Sequence, residues 1–196
     1  HNPLDLTRRT PVFQQWRALG DDIIKADLPA VAPTIFKDYT RKYIVLDYYQ
    51  MPPGPERDAT EKWLFAALPN AAPVFRDDRL AVYLAPPVEH PQPYLQLGHG
   101  WGSLTTIAGE PARVIEREAT LNLLHPGDAP LSLTIAAAGH RSLADLTLFS
   151  GAAPLPLTLS ADGATATAAL PPQTGAVRLN VSAPLAISRL KLRPPP

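Results

Sequence analysis

The sequence predicts an α+β protein in two parts. A small α/β domain of strand, helix and hairpin comes first, and an antiparallel β-sandwich of immunoglobulin or jelly-roll type follows. Three observations predict this. From Ala119 onward, apolar and polar residues alternate over run after run: Leu131, Leu133 and Ile135 face one way, Ser132 and Thr134 the other. Leu155, Leu157 and Leu159 repeat the pattern, as do Val177, Leu179 and Val181. This period of two marks half-buried antiparallel strands. Next, the 24 prolines among 196 residues fall between apolar runs and so punctuate short strands. Finally, residues 1–87 carry helix and strand signals side by side.

The elements follow in order. Thr10-Pro11 before VFQQWRALG reads as a cap, a proline at the first helical position, a short helix and a stop at Gly20. Residues 28–39 form a second helical stretch, with Pro29 in its first turn and Pro33 near its start or at a kink. Residues 42–49 form the strongest strand of this half, and their continuous apolar run predicts burial on both faces. The loop MPPGP leads into an amphipathic helix over residues 56–68. Strands over 73–76 and 79–84 enclose Asp77-Asp78, which supplies a hairpin turn and explains that acidic pair by turn chemistry. Residues 88–93, within PPVEHPQP, form a stiff linker, so the domains are 1–87 and 94–196. Residues 94–97 open the sandwich, and GHGWG at 98–102 bends sharply. TLNLL, LSLTIA, LADLTLF, LPLTLS, ATATAAL, VRLNVS and ISRLKL are its predicted strands.

Composition excludes several functions. Lysine plus arginine equals aspartate plus glutamate at 18 each, so no basic excess exists for nucleic acid. Cysteine is absent, which rules out a disulfide framework and a thiolate zinc site. No apolar run approaches a membrane span and no signal-peptide pattern opens the chain. The chain begins at His1 and its one methionine is Met51. We read it as a piece of a longer protein whose remainder carries the membrane or targeting segments.

Catalytic constellations are missing. From Ala119 to the end the acids are Asp128, Asp145 and Asp162, and the one aromatic is Phe149. A glycosidase needs two carboxylates flanking one bond. Glu110, Glu116 and Glu118 are interleaved with Arg113 and Arg117 and read as screened surface ion pairs. No G-x-S-x-G elbow is present. His1, His90, His99, His125 and His140 lack metal-ligand spacing, so neither a metal nor a cofactor is expected. GHGWG lacks the Lys-Ser/Thr of a phosphate loop. Sugar-binding sandwiches stack a ring on Trp or Tyr. The candidate ligand surface is therefore Tyr94, Gln96, His99 and Trp101, with Trp101 filling a seam as the structural alternative.

RKYIVLDYYQMPPGPE at 41–56, APVFRDDRLAVYLAPP at 72–87, residues 94–101 and ATL at 119–121 together resemble a recurring region of large bacterial polytopic membrane proteins. Those proteins are similar to glycosyltransferases of the dolichyl-phosphate-mannose type, which take sugars from lipid carriers. The resemblance covers roughly residues 28–124 and implies a sandwich of galactose-binding-like type. It implies that the chain is the extracytoplasmic C-terminal region, tethered to the cytoplasmic membrane through a preceding part. The family's catalytic acids lie in loops between membrane helices, so none carries over. Val114 departs from the pattern, which has an aromatic there. The expected role is a non-catalytic accessory domain that positions a glycan or lipid-linked sugar, with the membrane portion of the same polypeptide as partner. The alternatives are a carbohydrate-active hydrolase using Glu110, Glu116 or Asp47, and a purely structural protein-interaction module.

Overall fold

The computed structural model describes residues 7–194. They divide into two units. The first is Asp27–Gln92 with the described residues up to Gly20. The second is Asp21–Ala26 with the described residues from Pro93 onward.

Helix α1 (Phe13–Ala18) belongs to the first unit. It starts two residues later than the Thr10-Pro11 signal predicts. Val12 holds a left-handed φ of 72°, and its amide donates to Gln15 Oε1 at 2.7 Å. The Gln15 side chain thus does the capping, while the Thr10 hydroxyl bonds the Tyr39 hydroxyl at 3.1 Å. Helix α2 (Leu28–Asp38) keeps Pro29 in its first turn, where a missing N–H costs nothing, and continues through Pro33. It buries Val31, Ala32, Ile35 and Phe36. Trp16 stacks on Phe36 with ring centroids 5.8 Å apart, joining α1 to α2. The amide of Gln92, at the far end of this unit, donates to Thr34 Oγ1 at 2.9 Å.

Strand β1 (Tyr43–Asp47), helix α3 (Pro55–Ala67), and strands β2 (Pro73–Arg76) and β3 (Leu80–Leu84) complete the unit. The three strands form an antiparallel sheet in the order β1-β3-β2. Leu46, Ala81 and Tyr83 are buried on one face, where Phe65 of α3 meets Tyr83 edge-on at 6.0 Å. The other face is open. Tyr43 is 58% exposed and Val45 54%, so the continuous apolar run of β1 is buried on one side only. This corrects the expectation of two-face burial. The run is apolar because both faces carry Tyr, Ile, Val and Leu, not because both are covered. In the hairpin, Asp77 Oδ1 accepts the amides of Arg79 and Leu80 at 2.9 and 2.6 Å, as turn chemistry predicts.

The second unit is a β-sandwich. Its strands are β4 (Tyr94–Leu97), β5 (Thr105–Ile107), β6 (Glu110–Ile115), β7 (Glu118–Leu124) and β8 (Leu131–Ala137). After a short 3-10 turn come β9 (Thr147–Ser150), β10 (Ala153–Leu155) and β11 (Thr158–Leu159). Strands β12 (Thr165–Leu170), β13 (Ala176–Asn180) and β14 (Leu185–Arg193) finish it. One sheet has five strands in the order β10-β9-β13-β7-β4, and the other has six in the order β11-β12-β8-β14-β6-β5. Leu95, Leu97, Leu121, Leu123, Val177 and Leu179 of the first meet Leu133, Ile135, Ala166, Leu170, Ile187 and Leu190 of the second in one core. Of the period-two positions, Leu131, Leu133, Ile135, Leu155, Val177 and Leu179 lie in this core, Leu157 and Val181 pack against it, and Leu159 is exposed.

Two predicted strands are cut short. Residues 143–146 form a turn, with the Leu146 amide donating to Leu143 O at 3.0 Å, and only Thr147–Ser150 is extended. The run 155–160 splits. Leu155 pairs with Leu148 in the five-stranded sheet, while Thr158 and Leu159 pair with Thr167 and Ala166 in the six-stranded one. Pro156 has no N–H to donate, and neither ladder extends across it. Among the described residues, no helix is long and apolar enough to cross a membrane.

Candidate functional site

The four predicted ligand residues lie where β4 leads into GHGWG, but they do not form a stacking platform. In β4, Leu95 and Leu97 point into the core, which puts Tyr94 and Gln96 on the opposite face of the sheet. Tyr94 is nonetheless only 2% exposed, its ring tilted against that of His125 at 6.3 Å. Gln96 stands opposite Asn122 on β7 and accepts its side-chain amide at 3.3 Å. His99 is exposed, and its backbone amide donates to Thr120 Oγ1 at 2.8 Å. Trp101 packs against the sandwich core, and its Nε1 donates to Thr120 O at 2.7 Å.

The glycines of GHGWG serve this crossing. The Gly98 amide donates to Thr120 O at 2.8 Å. A Cβ on Gly98 would collide with the Thr120 hydroxyl, and one on Gly100, at φ 84°, with Glu118 O. The chain lies directly on β7 before Trp101 bridges to Ile115 of β6. Close backbone approach therefore accounts for the motif.

Arg113 departs from the surface reading. It is buried, and its Nε and Nη2 reach Asp22 Oδ1 and Oδ2 at 2.9 and 2.7 Å. Its Nη1 donates to Gly102 O at 2.9 Å. Asp22 Oδ1 also accepts the Ile23 amide at 2.7 Å. A planar guanidinium satisfied on three nitrogens is one arrangement in which a buried charge is tolerated. Sequence reasoning missed the pair because the partners are 91 positions apart. Glu116 and Glu118 remain exposed, and Glu118 lies 3.8 Å from Arg178.

The other acids are engaged locally. The Arg79 guanidinium holds Asp47 by two hydrogen bonds, at 3.2 and 2.8 Å, and keeps its carboxyl below the ordinary aspartate value. Asp77 is lowered by the amides of Leu80 and Arg79. Asp162 is lowered by the Ser160 hydroxyl and the Ala164 amide, at 2.6 and 3.0 Å. In the first unit Arg57 lies over the Tyr48 ring at 4.0 Å, and Arg76 Nη2 donates to the Tyr48 hydroxyl at 3.3 Å. Burial pushes the Tyr48 phenol up, and Glu61 acts in the same direction. Among the described residues, no group of three or more His, Asp or Glu could hold a metal ion.

A polar cleft of about 260 Å³ opens on the six-stranded sheet where β14 is irregular. Ala136, Ala137, Ala164 and Pro111 give it a small-residue surface, and Ser188 also lines it. Lys25, Glu110, His140, Asp162 and Arg189 supply the charged and titratable groups. Of these, the sequence singles out Glu110 as a candidate hydrolase acid, and Asp162 and His140 without a ligand role. Ser188 gives no sequence signal, because it occupies one position of an otherwise regular strand pattern. Comparison with family models, curated proteins and solved structures found no match, so the likeness to glycosyltransferase-associated regions rests on the sequence motifs alone.

Proposed function

We propose that the chain is a non-catalytic, extracytoplasmic accessory domain of a membrane-anchored, glycosyltransferase-like protein. In this reading its sandwich is of galactose-binding-like type and positions a glycan or lipid-linked sugar for the rest of the polypeptide. One observation supports the non-catalytic part: four aspartates are spent on structure. Asp22 is locked by Arg113, Asp47 by Arg79, and Asp77 and Asp162 by turn amides. Where their titration is displaced, it moves down, whereas a general acid at neutral pH needs it moved up.

The test is a turnover screen of the chain against nitrophenyl glycosides and esters. We expect no hydrolysis that a point change in the chain removes. Turnover abolished by Glu110→Gln, Glu116→Gln or Asp47→Asn would favour the hydrolase and end this reading.

One observation supports a second reading, a protein-interaction module. The open face of the three-stranded sheet carries Tyr43, Val45, Phe75 and Leu84, each at least half exposed. Light scattering over a concentration series tests it, with association that Phe75→Ser removes as the supporting result and a constant monomer mass as the opposing one.

A further inference from the structure

Strand β14 changes partners partway along its length. From Leu185 to Ile187 it pairs with β6, and Ile187 stands opposite Arg113. Pro111 follows on β6 and has no amide to continue the ladder. Beyond that point Ile24 bridges to Leu190, with Lys25 N donating to Leu190 O at 2.8 Å. On the other side, pairing with β8 slips between Ile187 and Arg189, leaving Ser188 as a bulge. The cleft lies where these irregularities meet. Bulges occur where a side chain is re-aimed, often beside a site.

Three features point to a ligand. Ser188 is 7% exposed, and its hydroxyl has no hydrogen-bond partner among the described residues. The little surface it keeps opens onto the cleft, where its hydroxyl is free to bond a guest. His140 is held at φ 54°, directly after Gly139 at φ 62°. A non-glycine residue there is uncommon and marks a place where conformation is imposed. The third feature is the charge pattern. Lys25 is paired with Asp21 at 3.2 Å and Asp162 is held by Ser160 and Ala164, so Glu110 and Arg189 are the opposite charges left to the cleft, and they balance. An anion or a cation gains little from such a set. A neutral molecule bearing hydroxyl groups uses all of it, because each hydroxyl both donates and accepts. Ala136, Ala164 and Pro111 add apolar surface for the C–H face of a ring. The volume, about 260 Å³, falls below the roughly 300–1,000 Å³ of drug-sized pockets and suits one ring.

We propose that this cleft, centred on Ser188, binds a single pyranose ring through Glu110 and Arg189. The proposal rests on the accessory-domain reading and gives that reading its ligand class and its place, away from Tyr94 and Trp101.

The experiment uses the whole chain, labelled with nitrogen-15. Amide spectra are recorded during titration with methyl glucoside, methyl galactoside and methyl mannoside, and separately with glycine and inorganic phosphate. We expect saturable shifts for at least one glycoside at the amides of Ala136, Ala137, Ala164 and Thr165, and none for glycine or phosphate. Glu110→Gln and Arg189→Gln, both at exposed positions, each weaken binding about tenfold with the spectrum otherwise intact. Ser188→Ala weakens it as well, while Arg117→Gln, exposed elsewhere on the same unit, leaves it unchanged. Absence of saturable shifts with all three glycosides would overturn the proposal. So would preferential binding of glycine or phosphate, or glycoside binding lost in Gln96→Ala but kept in Glu110→Gln and Arg189→Gln. These outcomes are separate from hydrolysis of a glycoside, which would sink the accessory reading itself.

Discussion

The three-stranded sheet of the first unit and the two sheets of the second are all antiparallel, yet they handle apolar residues differently. The sandwich turns leucines and valines inward from both sheets and presents Thr, Ser, Ala and charged residues outward. Among its described large apolar side chains, Leu159 stands out as exposed, at 41%. The smaller sheet buries Leu46, Ala81 and Tyr83 on one face and leaves Tyr43, Val45, Phe75 and Leu84 open on the other. A period-two pattern reports one-sided burial faithfully. An unbroken apolar run does not report two-sided burial when the sheet has only three strands.

The largest expected effect tests the polar support of the sandwich. Arg113→Met leaves Asp22 buried without its partner and should cost about 3–5 kcal/mol. Urea unfolding followed by circular dichroism would show it. The double change Asp22→Leu with Arg113→Met should recover much of the loss, since no uncompensated charge remains. A single variant with unaltered midpoint would mean that the pair is solvated.

The next prediction sets the two regions directly against each other. Leu133→Ala, fully buried in the sandwich core, should cost about 2–5 kcal/mol. Val45→Ala, on the open face, should change stability by about 0.5 kcal/mol at most. Equal effects would mean that the open face is covered in solution and would erase the contrast.

Acid sharpens the comparison further. Asp47 and Asp77 in the first unit and Asp162 in the second titrate below their ordinary value when folded. Their contribution is therefore present above the unfolded value, about pH 4, and is lost as pH falls through the depressed folded values. Two of the three belong to the smaller unit. Asp47→Asn should flatten the decline of stability below about pH 4 and leave the neutral range nearly unchanged. An unaltered acid limb would show that the Arg79 pair contributes nothing. The smallest effect is that of Phe75→Ser, within about 0.5 kcal/mol of the parent in urea. A larger loss would place Phe75 in a packed environment.

Much of this architecture was legible in the sequence because period and punctuation are local signals. The hairpin around Asp77, the helix after MPPGP and the inward leucines of the sandwich all follow from them. Strand β6 was not legible. Glu110 and Glu116 with Arg113 between them read as screened surface ion pairs, and only Asp22, far away in sequence, explains how Arg113 can sit inside. The splitting of 155–160 was hidden for another reason: Leu155, Leu157 and Leu159 keep a perfect period across Pro156, on either side of which the chain joins a different sheet. Of the predicted ligand residues, Trp101 does mark a singular place together with its neighbour Gly100, but that singularity lies in close backbone approach. The cleft at Ser188 arises from a one-residue slip of register, which no pattern of residue types encodes.

The placement of Trp101 has a practical consequence. The chain holds three indoles, and Trp16 and Trp63 both lie in the first unit. Replacing those two by phenylalanine leaves one tryptophan in the whole protein, excited at wavelengths the six tyrosines do not absorb and hydrogen-bonded to Thr120 at the crossing over β7. Its emission then follows the melting of the sandwich alone, so the two units become optically separable without any attached dye.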